Sequence, residues 1–557
     1  MAGGLLNLVA AGNQNVILNG NPQKTFFKTT YKKYSNFGIQ KFRLDFDGLK
    51  ELNLNTDSMF QFKVNRHAEL LMDTYMVINM PDIWSPIKPP KQCIDHDDKW
   101  VPYEFRWIKN LGTRMIREIT LTAGGTMLQR FTGEYLMAMV DRDFSGDKKK
   151  IYNHMTGNTE DMYAPDKWDK REGSYPNAIN SDNVDGAEPS IRGKQLIIPL
   201  NFWFTLNSKQ AFPLIAMQYN ELYINITLRP IRELFTIRDV NDATNEYPII
   251  APNFTISEHG FYRFIQTPPS ITKETVNSVT ENKLVYNDKN TRWNADIHLI
   301  ANYCFLTDEE ARIFAAEEQE YLIKEMHEHN QPGITGSRKI RLESTGLVSS
   351  YMFLFQRSDV NLRNEWCNYT NWPYELLPNG LNFAYLNECN LYNEEPADGA
   401  GNIIDLYVTG NYKITNHKDI LLNMGIVCDG DWRENVWTQG VYKYIDKYNR
   451  ISGNGTDIDG LYCYNFCLNT NPFDLQPNGA MNMSKINKTE IQFTTFSPPL
   501  DPEAKFQTIC DPATGVPIGV VKPTWRLFDY NFDVRVYEER YNKVIFMGGN
   551  VALMNAR

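Results

Sequence analysis

The stretch Ile198-Pro-Leu-Asn-Phe-Trp-Phe-Thr-Leu-Asn-Ser-Lys-Gln-Ala-Phe-Pro-Leu-Ile-Ala-Met-Gln-Tyr-Asn-Glu-Leu-Tyr-Ile-Asn-Ile-Thr-Leu-Arg-Pro230 decides the fold class. Its second part alternates strictly. Leu222, Ile224, Ile226 and Leu228 point one way, and Tyr223, Asn225 and Thr227 the other, the period of a half-buried antiparallel strand. Its first part sets Pro199, Phe202, Trp203 and Phe204 ahead of a turn, followed by Ala211-Phe212-Pro213-Leu214-Ile215. An aromatic cluster entering an alternating strand is the pattern of a β-sandwich core.

Working outward, similar signals recur. Phe42, Leu44 and Phe46 alternate before Asp47-Gly48, and Phe60, Phe62 and Val64 alternate next. Thr74 to Met80 and Met115 to Thr122 read as strands, the latter turning at Gly124-Gly125. Further strands are predicted within Trp293–Phe305, Lys339–Glu343, Ser350–Arg357, around Ile491 and Phe493, and from Asp533 onward. The chain has 557 residues, too many for one core, so two large domains or more are expected. Aromatic residues make up 13%, punctuated by 34 Gly and 28 Pro, as expected of a packed all-β protein.

From about Asp141 to Gly193 the periodicity vanishes, and a long loop insertion is predicted there. One helix stands out, Thr307 to Met326. Thr307 and Glu310 have the spacing of a capping box, Asp308 and Glu309 suit the first turn, and Ile313, Phe314, Tyr321 and Leu322 supply an apolar face. Pro332-Gly333 should stop it.

The net charge of −10 excludes a sequence-independent grip on DNA. The charge is uneven, however. Met1 to Gln23 is uncharged, and Lys24, Lys28, Lys32, Lys33, Lys41 and Arg43 follow before the first acid. No stretch is apolar enough for a transmembrane helix, and no basic region precedes the N-terminal apolar part as in a secretory signal. The eight cysteines are scattered, and free thiols are expected.

Reactive constellations are sparse. His327-Glu328-His329 is a close histidine pair, read as solvated side chains just past a helix and not as metal ligands. Cys463 and Cys467 lack a second ligand pair and read as buried thiols. Asp429, Asp431 and Glu434 fall in an expected surface loop, a weak calcium candidate. No phosphate-binding Gly-rich loop and no nucleophile elbow occurs. No catalytic, cofactor-binding or metal-binding residue is therefore assigned, and no enzyme activity or cofactor is expected.

The opening stretch, the N-terminal Met1–Lys28, the helix after Leu306, the motif Gln476-Pro-Asn-Gly-Ala-Met-Asn-Met-Ser484 and the C-terminal Asp533 to Gly549 together resemble the major capsid proteins of nucleocytoplasmic large DNA viruses, the double jelly-roll family. The resemblance implies an all-β fold of two tandem eight-stranded jelly rolls with long inter-strand loops and a short linking helix. It implies an N-terminal arm at 1–26 on the inner side of the capsomer, a first jelly roll at 27–306 with the insertion of about 141–193 forming part of the outer tower, a linking helix at 307–329 and a second jelly roll at 330–557. It implies a structural protein of the virion, assembled in the host cytoplasm. Homotrimers would form pseudo-hexagonal capsomers that tile an icosahedral shell, with neighbouring capsomers and minor capsid and penton proteins as partners. The internal viral membrane could be met through the N-terminal arm, and no direct nucleic-acid binding is implied. The rival reading is a carbohydrate- or receptor-binding jelly-roll protein of a virion surface, with Trp366, Trp372, Trp432 and Trp437 stacking on sugars.

Overall fold

A computed structural model describes residues 12–555, apart from 91–98, 172, 180–186, 244–246, 277–278, 287–291, 372–418, 498–506, 511–516 and 522–529. The first barrel uses β1 (Phe37–Asp45), β2 (Ser58–Val64), β3 (Leu70–Asn79), β4 (Ile116–Ala123), β5 (Thr126–Phe131), β6 (Gln195–Pro199), β7 (Phe212–Pro213), β8 (Leu222–Leu228) and β9 (His298–Leu306). One sheet runs β1-β9-β3-β7, with β6 also paired to β3, and the facing sheet runs β2-β8-β4-β5. Every named pair is antiparallel. Between β5 and β6 lie the helices α1 (Gly133–Asp143) and α2 (Gly146–Thr156).

After β9 comes α3 (Asp308–Ala316), then the second barrel. Its strands are β10 (Gln319–Ile334), β11 (Ser337–Leu342), β12 (Leu347–Arg357), β13 (Leu421–Cys428), β14 (Asp431–Thr438), β15 (Leu461–Asn465), β16 (Met481–Asn482), β17 (Thr489–Thr495), β18 (Phe532–Met547) and β19 (Asn550–Leu553). The sheets run β10-β18-β12-β15, with β16 also on β12 and β19 on β18, and β11-β17-β13-β14. The strand order of the first barrel is thus repeated: first, last, third and sixth positions in one sheet; second, seventh, fourth and fifth in the other. The sixth position is split into two short segments in each barrel. These are two jelly rolls in tandem.

The alternation read in the sequence is the alternation that is buried. Leu222, Ile224, Ile226 and Leu228 of β8 are in the core, opposite Phe60, Phe62 and Val64 of β2. Gly124-Gly125 joins β4 to β5 and Asp429-Gly430 joins β13 to β14. All four residues have positive φ, as a two-residue type I′ hairpin requires. Asp429 is thereby part of a tight turn and Glu434 lies in a strand, so the expected surface loop around Asp429, Asp431 and Glu434 is corrected to a β-hairpin.

Two other expectations are corrected. The helix predicted to reach Met326, and the linking helix placed at 307–329, end at Ala316. Glu317 is extended, and 319–334 pairs along its length with β18. Tyr321 and Glu325, four residues apart, fit a strand period as well as a helical one, and the long ladder with β18 decides between them. Thr307 does sit at the N-cap, without a side-chain hydrogen bond. The insertion at 141–193 is not without regular structure, since the end of α1 and all of α2 fall in its first part. Every residue of α1 is buried, so it shows no polar face from which a helical period could be read.

Trp203 opens a one-turn helix, Trp203–Leu206, and not the strand entry that its aromatic neighbours suggest. Its ring is buried, 5.4 Å from Phe204 and 5.9 Å from Phe212 between centroids. Trp203→Ala is expected to destabilise the protein by about 3–5 kcal/mol, seen as a lower denaturation midpoint with an unchanged slope. A midpoint equal to wild type would mean that the ring is peripheral.

Candidate functional site

The feature that most constrains what this chain can do is the junction between the two barrels. Strand β18 alternates two kinds of surface. Val534 and Val536 face the core of the second barrel, while Arg535, Tyr537 and Glu539 face outward. That outward face is not solvated, because α1 of the first barrel lies across it.

Two charged clusters form there. Glu134 of α1 pairs with the guanidinium of Arg535 and accepts hydrogen bonds from Tyr537 (2.8 Å) and Tyr369 (2.6 Å), with an Arg114 nitrogen 3.4 Å away. Eight residues along α1, Arg142 contacts Glu539 at 2.8 Å and Asp143 at 2.7 Å. Glu539 also accepts from Tyr135 (2.9 Å) and Ser350 (2.7 Å). Burial pushes the Glu134 carboxyl up, but the charges of Arg535 and Arg114 and the two tyrosine hydroxyls outweigh it and hold the group well below the usual carboxylate range. Burial likewise raises Glu539, and Arg142, Lys324 and the Ser350 hydroxyl together outweigh it and lower the group.

Apolar contacts seal the same surface. Met352, Leu354, Leu461, Cys463, Tyr537 and Phe546 of the second barrel belong to one continuous core with the first barrel. The rings of Phe212 and Phe546 meet edge to face at 5.1 Å. In the reverse direction, Asn364 donates to the carbonyls of Arg232 and Phe235, and the Trp366 indole donates to Glu233. The barrels are therefore joined by a core and by crossed polar straps.

None of the residues weighed for chemistry forms a catalytic arrangement among those described. His327 and His329 lie on β10 and not in solvent past a helix, which corrects the earlier placement. His329 Nε2 is 3.1 Å from Glu538, and His327 Nε2 is 3.8 Å from Glu325. Cys463 and Cys467 are buried free thiols, and burial pushes Cys463 up to about 11. Asp429 accepts from the backbone of Asn487 and Lys488, while Glu434 accepts from Trp437 and Tyr464. Among the described residues no His, Cys, Asp and Glu group could hold a metal ion.

Trp366, named above as a sugar platform, is instead partly buried under Arg229, 4.4 Å from ring centroid to guanidinium. Trp372 lies outside the described residues. Trp432 and Trp437 are about half exposed. Leu5, Leu8 and Val9 of the N-terminal arm also lie outside the described residues. The part that follows is exposed, with Ile17 and Leu18 each at 88%, Phe26 at 101% and Phe27 at 97%. The α1–β18 clusters were not legible in the sequence. The only signal was Arg535-x-Tyr537-x-Glu539 facing away from an apolar alternation in a strand too long for one exposed edge.

Two tandem jelly rolls locked at a buried junction define a double jelly-roll protein of the viral capsid type. A family model described as the major capsid protein N-terminus matches residues 25–263. The chain is 24% identical over 549 residues to the major capsid protein of Phaeocystis pouchetii virus, covering 88% of this chain and 92% of that protein. It is 26% identical over 346 residues to capsid protein 1 of Acanthamoeba polyphaga mimivirus, covering 61% of this chain and 46% of that longer relative. The PBCV-1 virus capsid structure aligns with 96% of this chain and 100% of its own, at 17% identity and a TM-score of 0.57. Along most of its length the chain thus resembles the major capsid proteins of the nucleocytoplasmic large DNA viruses.

Replacing Glu134 by Gln leaves Arg535 buried against a neutral group. The substitution is expected to cost about 3–5 kcal/mol at pH 7. Because the folded carboxyl titrates below its unfolded value, its contribution is present above about pH 4.3 and is lost as the pH falls towards the folded value. The gap between wild type and variant should therefore narrow on acidification, measured by denaturant melts at pH 7 and pH 3. A gap that is constant with pH would mean that Glu134 does not carry charge in the junction.

Proposed function

We propose that many copies of this chain tile an icosahedral virus shell, and that they do so as homotrimers. The carrying observation is the repetition of one barrel topology twice within a single rigidly joined chain. Three such chains supply six barrels, which gives a trimer a near-hexagonal outline suited to close tiling. The role is mechanical rather than catalytic, and neighbouring copies, minor capsid proteins and penton proteins are the partners it needs. The arm (1–26), the first barrel (27–306) and the second barrel beyond the linker are the parts of this capsomer. Assembly in the host cytoplasm belongs to the same reading. Negative-stain images of the purified protein test it: hexagonal particles about 70–90 Å across are expected, and a field of single two-lobed chains would overturn it.

The segment before β1 supports an inward-facing role. It is exposed and opens on a short helical turn over residues 13–19, its apolar side chains Val16, Ile17, Leu18, Phe26 and Phe27 lack cover from the rest of the described chain, and Lys24, Lys28, Lys32 and Lys33 run through it. An acidic protein places this basic, apolar strip where it can meet an anionic lipid surface or acidic minor proteins, each lysine contributing at most about 1 kcal/mol near a charged surface. Deleting residues 2–23 is expected to leave the trimer folded, because the barrels hold the cores, and to impair shell assembly. Electron microscopy of assembled particles checks this. Normal shells from the truncated chain would make the arm dispensable, and loss of the trimer itself would make the arm part of the core fold.

A further inference from the structure

A cavity of about 690 Å³ opens in the seam between the two barrels. Its walls come from four segments: Lys109 and Asn110 between β3 and β4, residues of α1 and α2 between β5 and β6, Cys367 to Thr370 between β12 and β13, and Asp457 to Asp459 between β14 and β15. Successive strands of a jelly roll alternate in direction, so the third and fifth connections leave a barrel at the same end. The cavity therefore lies at one end of both barrels at once, and neither barrel alone supplies all of its walls.

The wall includes a buried ion pair. Lys149 donates to Asp141 at 2.8 Å and to Asp457 at 3.2 Å, and Asp141 is only 4% exposed. The Asp457 backbone N–H also donates to Asp141 Oδ1, so that oxygen holds two donors. Asp141 Oδ2 is buried and receives none. A buried carboxylate oxygen without a donor is costly. On the same wall Asn153 accepts from Asn158 at 3.2 Å, and its own Nδ2 has no acceptor among the described residues. The Tyr152 and Tyr369 hydroxyls are already bonded to Thr113 and Glu134, so these two residues offer the cavity ring carbon rather than polar groups.

What the wall lacks is a hydrogen donor for Asp141 and an acceptor for Asn153. Hydroxyl groups supply both. The ionised walls nearly cancel, with Asp141, Asp457 and Asp459 standing against Lys109 and Lys149, so little net field selects an ion. No His, Cys, Asp and Glu group among the described residues could hold a metal ion. Ring carbon beside planar polar groups, in a volume typical of small-ligand sites, suits a molecule with hydroxyls on its edges and C–H on its faces.

The geometry points to a binding site for a neutral di- or trisaccharide in this inter-barrel cavity, with Asp141 as hydroxyl acceptor and Asn153 as donor. The site goes beyond the shell reading and does not depend on the trimer, since one chain supplies every wall named. A sugar held there touches both barrels and stabilises their junction by mass action.

The test uses the full chain and four neutral disaccharides: maltose, cellobiose, lactose and N,N′-diacetylchitobiose. Saturation-transfer NMR and calorimetry are expected to give saturable, one-to-one binding of at least one of them. That sugar should slow alkylation of Cys367, a free thiol on the wall, as followed by peptide mass spectrometry. Spermidine and citrate, a cation and an anion, should fail to compete with it. Asp141→Asn is expected to weaken binding about tenfold or more, the worth of one hydrogen bond to a charged group. Because that change also touches the Lys149 pair, Asn153→Trp is measured beside it. Residue 153 is partly exposed, and the new ring should fill the cavity and abolish binding with the melting temperature kept. If none of the four sugars binds, if binding survives Asn153→Trp, or if Cys367 stays unprotected, the saccharide site is overturned while the shell reading stands. Displacement by spermidine or citrate would overturn it in favour of an ion site.

Discussion

The burial of α1 against the outer face of β18 is the constraint on which the rest of the molecule depends. A β-sheet in a jelly roll normally offers one face to its own core and the other to water. Here the second face of the second barrel is also buried, and it carries charge. Such a surface is tolerable only if each carboxylate meets a cation and hydroxyl donors in fixed positions, and Glu134 and Glu539 each do. Buried ion pairs add little net stability compared with apolar packing, but they penalise misalignment heavily. A shift of α1 by one turn would strand Arg535 and Glu539 together. The clusters at Glu134 and Arg142 therefore act as a register device that fixes how the two barrels sit, while the continuous apolar core supplies the adhesion.

The two barrels share a strand order, a split sixth position and a two-residue positive-φ hairpin at the same place, Gly124-Gly125 in one and Asp429-Gly430 in the other. They share no visible sequence repeat. The hairpin shows why. The backbone twist of the strands demands positive φ at both turn positions, and both Gly-Gly and Asp-Gly satisfy it. Likewise the core asks only for apolar side chains of suitable volume at alternate positions. Topology is conserved by constraints that many sequences meet.

The same reasoning explains what could be read from the chain alone. Strands buried on one face were legible, because Leu222 to Leu228 or Phe60 to Val64 print their environment as an alternation. Both the jelly-roll class and the capsid resemblance rest on such segments. The junction was not legible, because it is made of residues whose local pattern points elsewhere. Lys148-Lys149-Lys150 reads as a solvated run, yet Lys149 is buried on Asp141 and Lys148 lies 3.7 Å over the Phe473 ring. Residues 317 to 329 satisfy a helical and a strand period together, and only the distant partner Phe532–Met547 separates them. The histidines at 327 and 329 changed surroundings for the same reason: once the segment is a strand, they turn towards buried Glu325 and Glu538 rather than water.

The polar character of the junction follows from the tether between the barrels. Within one chain their effective concentration is high, so the junction can use buried charges that need exact partners. Those partners are always present, and the clusters form as the chain folds. Between two free bodies the same charges would have to shed their water before a partner was in place, which is costly. Tethering therefore accounts for ion clusters at Glu134 and Arg142 on a surface where separate proteins would rely on apolar packing.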